Sequence, residues 1–298
     1  MRSCTMTTEL SILLAQIEVI MHNMEKDLEN ILTYLDEKRG FDFSGYRPSM
    51  VERCISKRIR QTKNKDFVQY LDFINEHSDE LNNLLDVLSI NVSRFFRNTL
   101  TFEYISRKIL PTIISEKMQA KDSSLRIWSA GCAHGEEPYS LAIILNELLE
   151  NEDLALDLVL FGTDIDRNAL KMAEEAIYPY ESIKNIKYRL LKKYFTATGE
   201  CYLLRHQIKR MVTFSIYDLF DKKSYVPPDS VFGDFDMVFC RNVLIYLLSE
   251  PQNILFNKLY RSMTEGGYLI LGEAEAPTKK YQRYLPRIND WCHIYRKI

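Results

Sequence analysis

After Leu125 the chain alternates between two textures, and this alternation restricts its fold more than any other feature. Short runs rich in β-branched, aromatic and aliphatic residues, "LRIWSAG", "LDLVLFGTDID", "MVTFSIYD", "FDMVFCRN" and "GGYLILGEAE", are separated by stretches of helical spacing such as 137–150, 166–176 and 249–263. Apolar strands alternating with helices predict a parallel-type α/β sheet. Ligands of such sheets bind beyond the carboxyl ends of the strands. Residues 180–212, basic and polar around "TATGE", interrupt the pattern and predict a short helix with a small antiparallel excursion, and "DWCHIYRKI" predicts a last, antiparallel strand.

Upstream, the spacing is helical. Apolar residues recur from Leu10 to Leu35, and again at Phe67, Tyr70, Leu71, Ile74, Leu81, Leu84, Leu85 and Leu88, close to the α-helical repeat. The first stretch fits either an amphipathic helix packed on its own domain or an extension that pairs with another chain. Its run "LSILLAQIEVIM" is broken by Gln16 and Glu18 and falls short of the roughly 20 apolar residues that span a bilayer. It has no basic leader or small-residue cleavage site, so a cytoplasmic chain that is not a membrane protein is expected. Six scattered cysteines without a CxxC pair, and five histidines never at ligand spacing, predict a reducing compartment and no metal. A net charge of −2 argues against a chain that coats nucleic acid.

The strand ends carry the chemistry. "GCAHGEEPYS" is a strand, turn and helix start, which usually binds phosphate at the helix N-terminus. Glu136 and Glu137 would repel a phosphate. The GxxxG spacing is not the GxGxxG of dinucleotide folds, and no GKS or GKT follows it. Asp164, the first acid of "DID" after the second strand, stands where a carboxylate accepts ribose hydroxyls. A ligand with ribose hydroxyls and a cationic end but no phosphate points to S-adenosylmethionine. The alternative for the acid pair is service to the positive end of the helix.

The ordered series "NVSRFFRN", "RIWSAGCAHGEEPYS", "FGTDID", "FDMVFCRNVLIYL" and "GGYLILGEAE" resembles the CheR family of chemotaxis receptor methyltransferases. "RGFDFSGYRPSMVERCISKRIR" resembles the start of that family's N-terminal domain. The resemblance implies a class I S-adenosylmethionine-dependent methyltransferase fold: a doubly wound, Rossmann-like mixed sheet with an N-terminal all-α domain and a small inserted antiparallel β-subdomain. The expected organisation is a helical extension at 1–24, a receptor-docking domain at 25–95, a linker helix at 96–124 and a catalytic domain at 125–298, with the β-subdomain at 180–212. That subdomain looks compact, like the form that binds no receptor tether.

The implied activity is transfer of a methyl group to glutamate side chains of chemoreceptor cytoplasmic helices. By resemblance, Asn91, Ser93, Arg97, Gly131, Glu137, Asp164, Asp218, Leu219, Cys240, Arg241 and Asn242 hold the cofactor. Arg97 and Tyr246 orient the substrate carboxylate. Glu137 takes the methionine portion, Asp164 the ribose and Asp218 the region of the adenine amino group, while Glu136 caps the helix. Phe95 and Phe96 are expected to pack. Other readings stay open for Arg97, as a surface ion pair, and for Tyr246, as a core aromatic.

Residues 47–65 hold seven Lys or Arg against one acid, Glu52. Arg53, Lys57 and Arg60 fall on one helical face, which the family uses to dock acidic receptor helices; the alternative is a solvated face. A monomer is expected, with a dimer through residues 1–35 as the alternative. Two other readings remain: a docking module that binds the cofactor without turnover, and a methyltransferase for nucleic acid or small molecules, which lacks support from a base-stacking tetrapeptide such as NPPY.

Overall fold

The computed structural model describes the chain apart from residues 1–21, 23, 40, 90–92, 153–155, 222 and 231–232. The expected extension at 1–24 and the cofactor candidate Asn91 therefore lie almost wholly or wholly outside the described residues. The chain divides into two compact units, Met1–Ile90 and Asn91–Ile298; the sequence reading sets this boundary at 95.

The first unit is helical in its described part: α1 (24–39), α2 (Pro48–Thr62), α3 (Phe67–Glu76) and α4 (Ser78–Leu88). Leu28, Ile31 and Leu35 of α1 are buried, as are Cys54, Ile55 and Ile59 of α2. Proline stands in the first turn of α2, where its missing N–H costs nothing. The Asp66 side chain accepts from Gln69 N–H and so caps α3. A polar knot ties α2, α3 and α4 together. Arg58 Nε donates to Glu80 Oε1 at 2.8 Å, and Tyr70 Oη donates to the same oxygen at 2.7 Å. Burial would raise the Glu80 pKa, but the bonds from Arg58, Tyr70 and Asn83 outweigh it and hold the carboxyl below its ordinary value.

The second unit begins with α5 (Thr99–Tyr104), a π turn (Ile105–Ile109) and α6 (Leu110–Ala120), where the sequence predicts one linker helix. Pro111 lies in the first turn of α6. It has no N–H, and its ring crowds the carbonyl four residues back, so the helix widens there.

The sheet strands are β1 (Ser124–Ala130), β2 (Asp157–Asp164), β6 (Thr213–Ile216), β7 (Phe235–Cys240), β8 (Met263–Leu271) and β9 (Ile294–Arg296), in spatial order β6-β2-β1-β7-β8-β9. All neighbours run parallel except β9, which is antiparallel to β8. Every residue of β7 is buried, as expected for a strand covered on both faces. Helices α7 (Glu136–Glu152), α8 (Arg167–Glu175) and α12 (Ser249–Ser262) connect the strands. The order reverses around β1: the chain moves outward through β2 to β6, then returns to β7 on the other side. A crevice opens at such a switch point, at the carboxyl ends of the strands.

Between β2 and β6 lies a second, antiparallel sheet in the order β3-β5-β4, made of β3 (Ile177–Pro179), β4 (Phe195–Thr198) and β5 (Cys201–Leu204). Its first strand precedes residue 180, where the sequence reading starts this subdomain. Thr198 faces Cys201, so β4 and β5 form a tight hairpin with a two-residue turn. Short helices α9 (Tyr180–Ile183), α10 (Tyr188–Tyr194) and α11 (His206–Lys209) complete it.

Candidate cofactor site

The turn after β1 is shaped by two glycines. Gly131 has φ +72° and Gly135 φ +85°, a region that L side chains avoid. A Cβ at Gly131 would lie 2.9 Å from Val243 Cγ2, and one at Gly135 would lie 2.9 Å from Ala173 Cβ. Gly131 and Cys132 N–H both donate to Thr163 O, at 2.8 and 2.9 Å, which binds the turn to the end of β2.

Asp164 closes that end. Ala133 N–H donates to its Oδ2 at 2.8 Å, and Asp166 N–H donates to its Oδ1 at 3.0 Å. The Ile165 N–H adds to these donors, and a carboxylate with about four acceptor sites keeps capacity beyond them. Burial raises the Asp164 pKa, against these backbone donors. Asp166, the second acid of "DID", does something else: its side chain accepts from Asn168 and Ala169 N–H and caps α8.

The adjacent acids have separate environments, because one helical step turns them about 100° apart. Glu137 accepts from Ser129 Oγ at 2.9 Å and pairs with Arg241 Nη1 at 3.0 Å. Glu136 is 1% exposed, accepts from Ser182 Oγ at 3.2 Å, and leaves Oε2 without a partner. Burial raises its pKa, opposed by its own backbone N–H, His134, Ser182 and Ser93. Glu136 is thus an acid at the helix start with a free buried acceptor, beyond the capping role read from sequence.

Arg241 joins the pieces. Its Nη2 donates to Arg97 O at 2.9 Å and contacts Asn98 Oδ1, and its guanidinium carbon lies 5.5 Å from the Phe102 ring centroid. Its Nε has no partner. The Arg97 segment is bent: Phe96 and Asn98 have φ +52° and +64°. Phe96 N–H donates to Ser140 Oγ at 2.9 Å, holding the segment against α7.

Cys240 ends β7 with a fully buried thiol, pushed well up by burial and then by Glu275 and Glu137; it is a neutral packing group. The backbone beyond it is held by Glu275. This carboxylate accepts from Gly272 N–H at 2.7 Å, Asn242 N–H at 2.8 Å and Ile245 N–H at 3.3 Å. Tyr246 is half-buried in the single 3₁₀ turn Leu244–Tyr246 that follows, not on an α-helix.

Asp218 and Leu219 lie in the loop after β6, both half-buried. Asp218 Oδ1 accepts from Phe220 N–H at 2.8 Å. The loop is clamped from α12 by Lys258, 3% exposed, whose Nζ donates to Asp221 O at 2.6 Å and Asp218 O at 3.4 Å and sits 4.6 Å from the Tyr217 ring centroid. The structure thus gathers Arg97, Gly131, Glu137, Asp164, Cys240 and Arg241 around the ends of β1, β2 and β7. Ser129, Ser140, Lys258 and Glu275 were not singled out by sequence. Only Glu275 left a signal, as an acid just past the last parallel strand.

An orphan acceptor on Glu136 and an orphan donor on Arg241 fit a ligand carrying both an ammonium and a carboxylate, and Asp164 retains room for ribose hydroxyls. S-adenosylmethionine has these groups. Among the described residues there is no cluster of His, Cys, Asp or Glu that could hold a metal ion.

The fold and site define a class I S-adenosylmethionine-dependent methyltransferase with an all-α N-terminal domain. Comparisons with known proteins narrow the class. The family described as "CheR methyltransferase, SAM binding domain" matches residues 91–289, and "CheR methyltransferase, all-alpha domain" matches 26–89. A chemotaxis protein methyltransferase of Borreliella burgdorferi is 32% identical, covering 85% of this chain and 89% of that one. Its counterparts in Listeria innocua and Escherichia coli are 25% and 29% identical, covering 91% and 80% of this chain and 98% and 80% of theirs. The chain belongs to the CheR methyltransferase family.

Proposed function

We propose that this chain transfers the methyl group of S-adenosylmethionine to glutamate side chains in the cytoplasmic helices of chemotaxis receptors, giving glutamate methyl esters. The observation that carries the reading is the Glu136, Glu137 and Arg241 cluster beside Arg97, an acid-rich mouth with paired and orphan groups suited to a zwitterionic nucleoside. When bound, S-adenosylmethionine supplies an electrophilic methyl group on a sulfonium.

The chain's residues then have mainly to position. A glutamate with a pKa of about 4.3 is ionised at neutral pH, so no general base is needed, and orientation supplies much of the rate. Glu137, which also fixes Arg241, takes the methionine portion of the cofactor, and Glu136 offers its free oxygen to the ammonium beside it. Asp164 accepts the ribose hydroxyls, and Asp218 and Leu219 flank the base. Arg97 and Tyr246 orient the incoming carboxylate. The test is transfer of labelled methyl to receptor cytoplasmic fragments. Base-labile label on receptor is expected; S-adenosylhomocysteine binding without such label would leave a docking module, and label on RNA instead would overturn the receptor reading.

The docking face belongs to α2. Arg53, Lys57 and Arg60 are exposed, opposite the buried Cys54, Ile55 and Ile59. Arg58, counted among the seven basic residues, is turned onto Glu80 instead. Reversing Arg53, Lys57 and Arg60 to Glu is expected to raise the receptor KM roughly tenfold or more at low salt, with S-adenosylhomocysteine affinity unchanged. Equal loss of both would remove the docking role.

Lys258 gives cofactor binding a pH dependence. Burial lowers its pKa to about 8, against the carboxylates of Asp221 and Asp218. As pH rises through about 8 the charged clamp on the 217–221 loop is lost, so S-adenosylhomocysteine affinity is expected to fall. Stability moves the other way: the folded pKa lies below the unfolded value, so the penalty for burying the charge shrinks above about 8. Calorimetry across pH 7 to 9.5 on the parent and Lys258→Met checks this; an identical affinity profile in both would refute the clamp.

A further inference from the structure

A cavity of 240 Å³, separate from the strand ends, lies within the second unit between α5 and its π turn, the middle of α7, and the segment at 185–190. This is about eight water volumes, in a cleft that opens to solvent at its rim. Its floor is apolar: Phe96, Phe102, Ile143, Ile144, Leu148 and Leu190. Its rim is charged. Arg107, Lys187 and Arg189 have side chains 76%, 63% and 71% exposed, and all three line the cavity.

The rim cations are paired with two carboxylates. Arg107 and Lys187 share Glu103, and Arg189 pairs with Glu147. Lys193 bridges the same Glu147 to Glu150, so four cations face three carboxylates in this network and one positive charge is left at the mouth. Exposed cations of this kind turn toward a new anion at small cost, because surface ion pairs are weak. The cavity therefore suits a small molecule with a flat apolar body and a single negative charge.

Phe96 links the cavity to the site at the strand ends. Its ring lines the floor, its backbone is held at φ +52°, and the next residue, Arg97, gives its carbonyl to Arg241. A bulky residue at positive φ is strained, so a body packed against its ring acts on a segment already bent.

We propose that this cavity is a second ligand site for a small amphipathic monoanion, coupled through Phe96 to the Arg97 and Arg241 segment of the cofactor site. By reciprocity of linkage, occupancy of either site changes affinity at the other.

The probe is 8-anilinonaphthalene-1-sulfonate with the full-length protein, and the uncharged N-phenyl-1-naphthylamine is its control. One saturable sulfonate site per chain is expected, with at least tenfold weaker binding of the uncharged analogue. Ile144→Trp, which fills the floor, and Arg107→Glu, an exposed change that spares the core, should each weaken sulfonate binding at least tenfold. Saturating sulfonate should change S-adenosylhomocysteine affinity at least threefold in the parent and not in Ile144→Trp. Equal sulfonate binding by the parent and Arg107→Glu, or equal binding of the two probes, would overturn the site. An S-adenosylhomocysteine affinity indifferent to the probe would overturn the coupling.

Discussion

Asp164→Ala is expected to weaken S-adenosylhomocysteine binding roughly 30- to 150-fold, corresponding to the ~2–3 kcal/mol of a hydrogen bond to a charged group. Two effects add. The acceptor for the ribose hydroxyls disappears, and Ala133 N–H and Asp166 N–H lose the carboxylate that fixes the turn. Asp166→Ala separates the two acids of the motif. It removes the cap of α8, which costs about 1 kcal/mol of stability, and should leave cofactor affinity within about twofold of the parent, since a cap acts locally. Calorimetric titration of both variants decides the point: unchanged affinity in Asp164→Ala would mean that the ribose is held elsewhere.

The contrast between Asp164 and Asp166 shows which parts of this molecule its sequence displays. Alternating apolar runs made the parallel sheet legible, because a strand buried on both faces needs an unbroken apolar stretch, and this is a local property. The antiparallel end strand was legible in the same way, from "DWCHIYRKI". The order of motifs located the mouths of β1, β2 and β7. What stayed hidden depends on partners far along the chain. Glu136 and Glu137 are neighbours in sequence, and partners far along the chain, Ser182 for the first and Arg241 for the second, make them different. Glu275 gathers backbone donors from Gly272 to Ile245, and Lys258 holds carbonyls from a loop some forty positions earlier. Lys258 has no local signature, and Glu275 only its place just past the last parallel strand, since an acid or lysine at the same place on a surface reads identically. Arg58 shows the converse error. Charge counting included it among the seven basic residues of 47–65 without setting it apart, and Glu80 draws it inside.

Arg241→Met is expected to abolish methyl transfer and to lower the melting temperature by about 10 °C, from the ~3–5 kcal/mol lost when one partner of a buried ion pair is removed and the ~2–4 °C per kcal/mol of a unit this size. The guanidinium side chain is 3% exposed and satisfies Glu137, Arg97 O and Asn98 at once. Without it Glu137, 12% exposed, is a carboxylate with no cation. Arg241→Lys keeps the charge but lacks the planar fork that spans three acceptors, so it should recover part of the stability and little activity. The double variant Arg241→Met with Glu137→Gln separates the two roles. Neutralising Glu137 removes the uncompensated charge, so the melting temperature should return most of the way to the parent while S-adenosylhomocysteine binding stays weak. Full recovery of binding would show that Arg241 serves only to neutralise Glu137. No recovery of stability would show that its hold on the Arg97 and Asn98 segment, rather than the ion pair, carries the structure of the site.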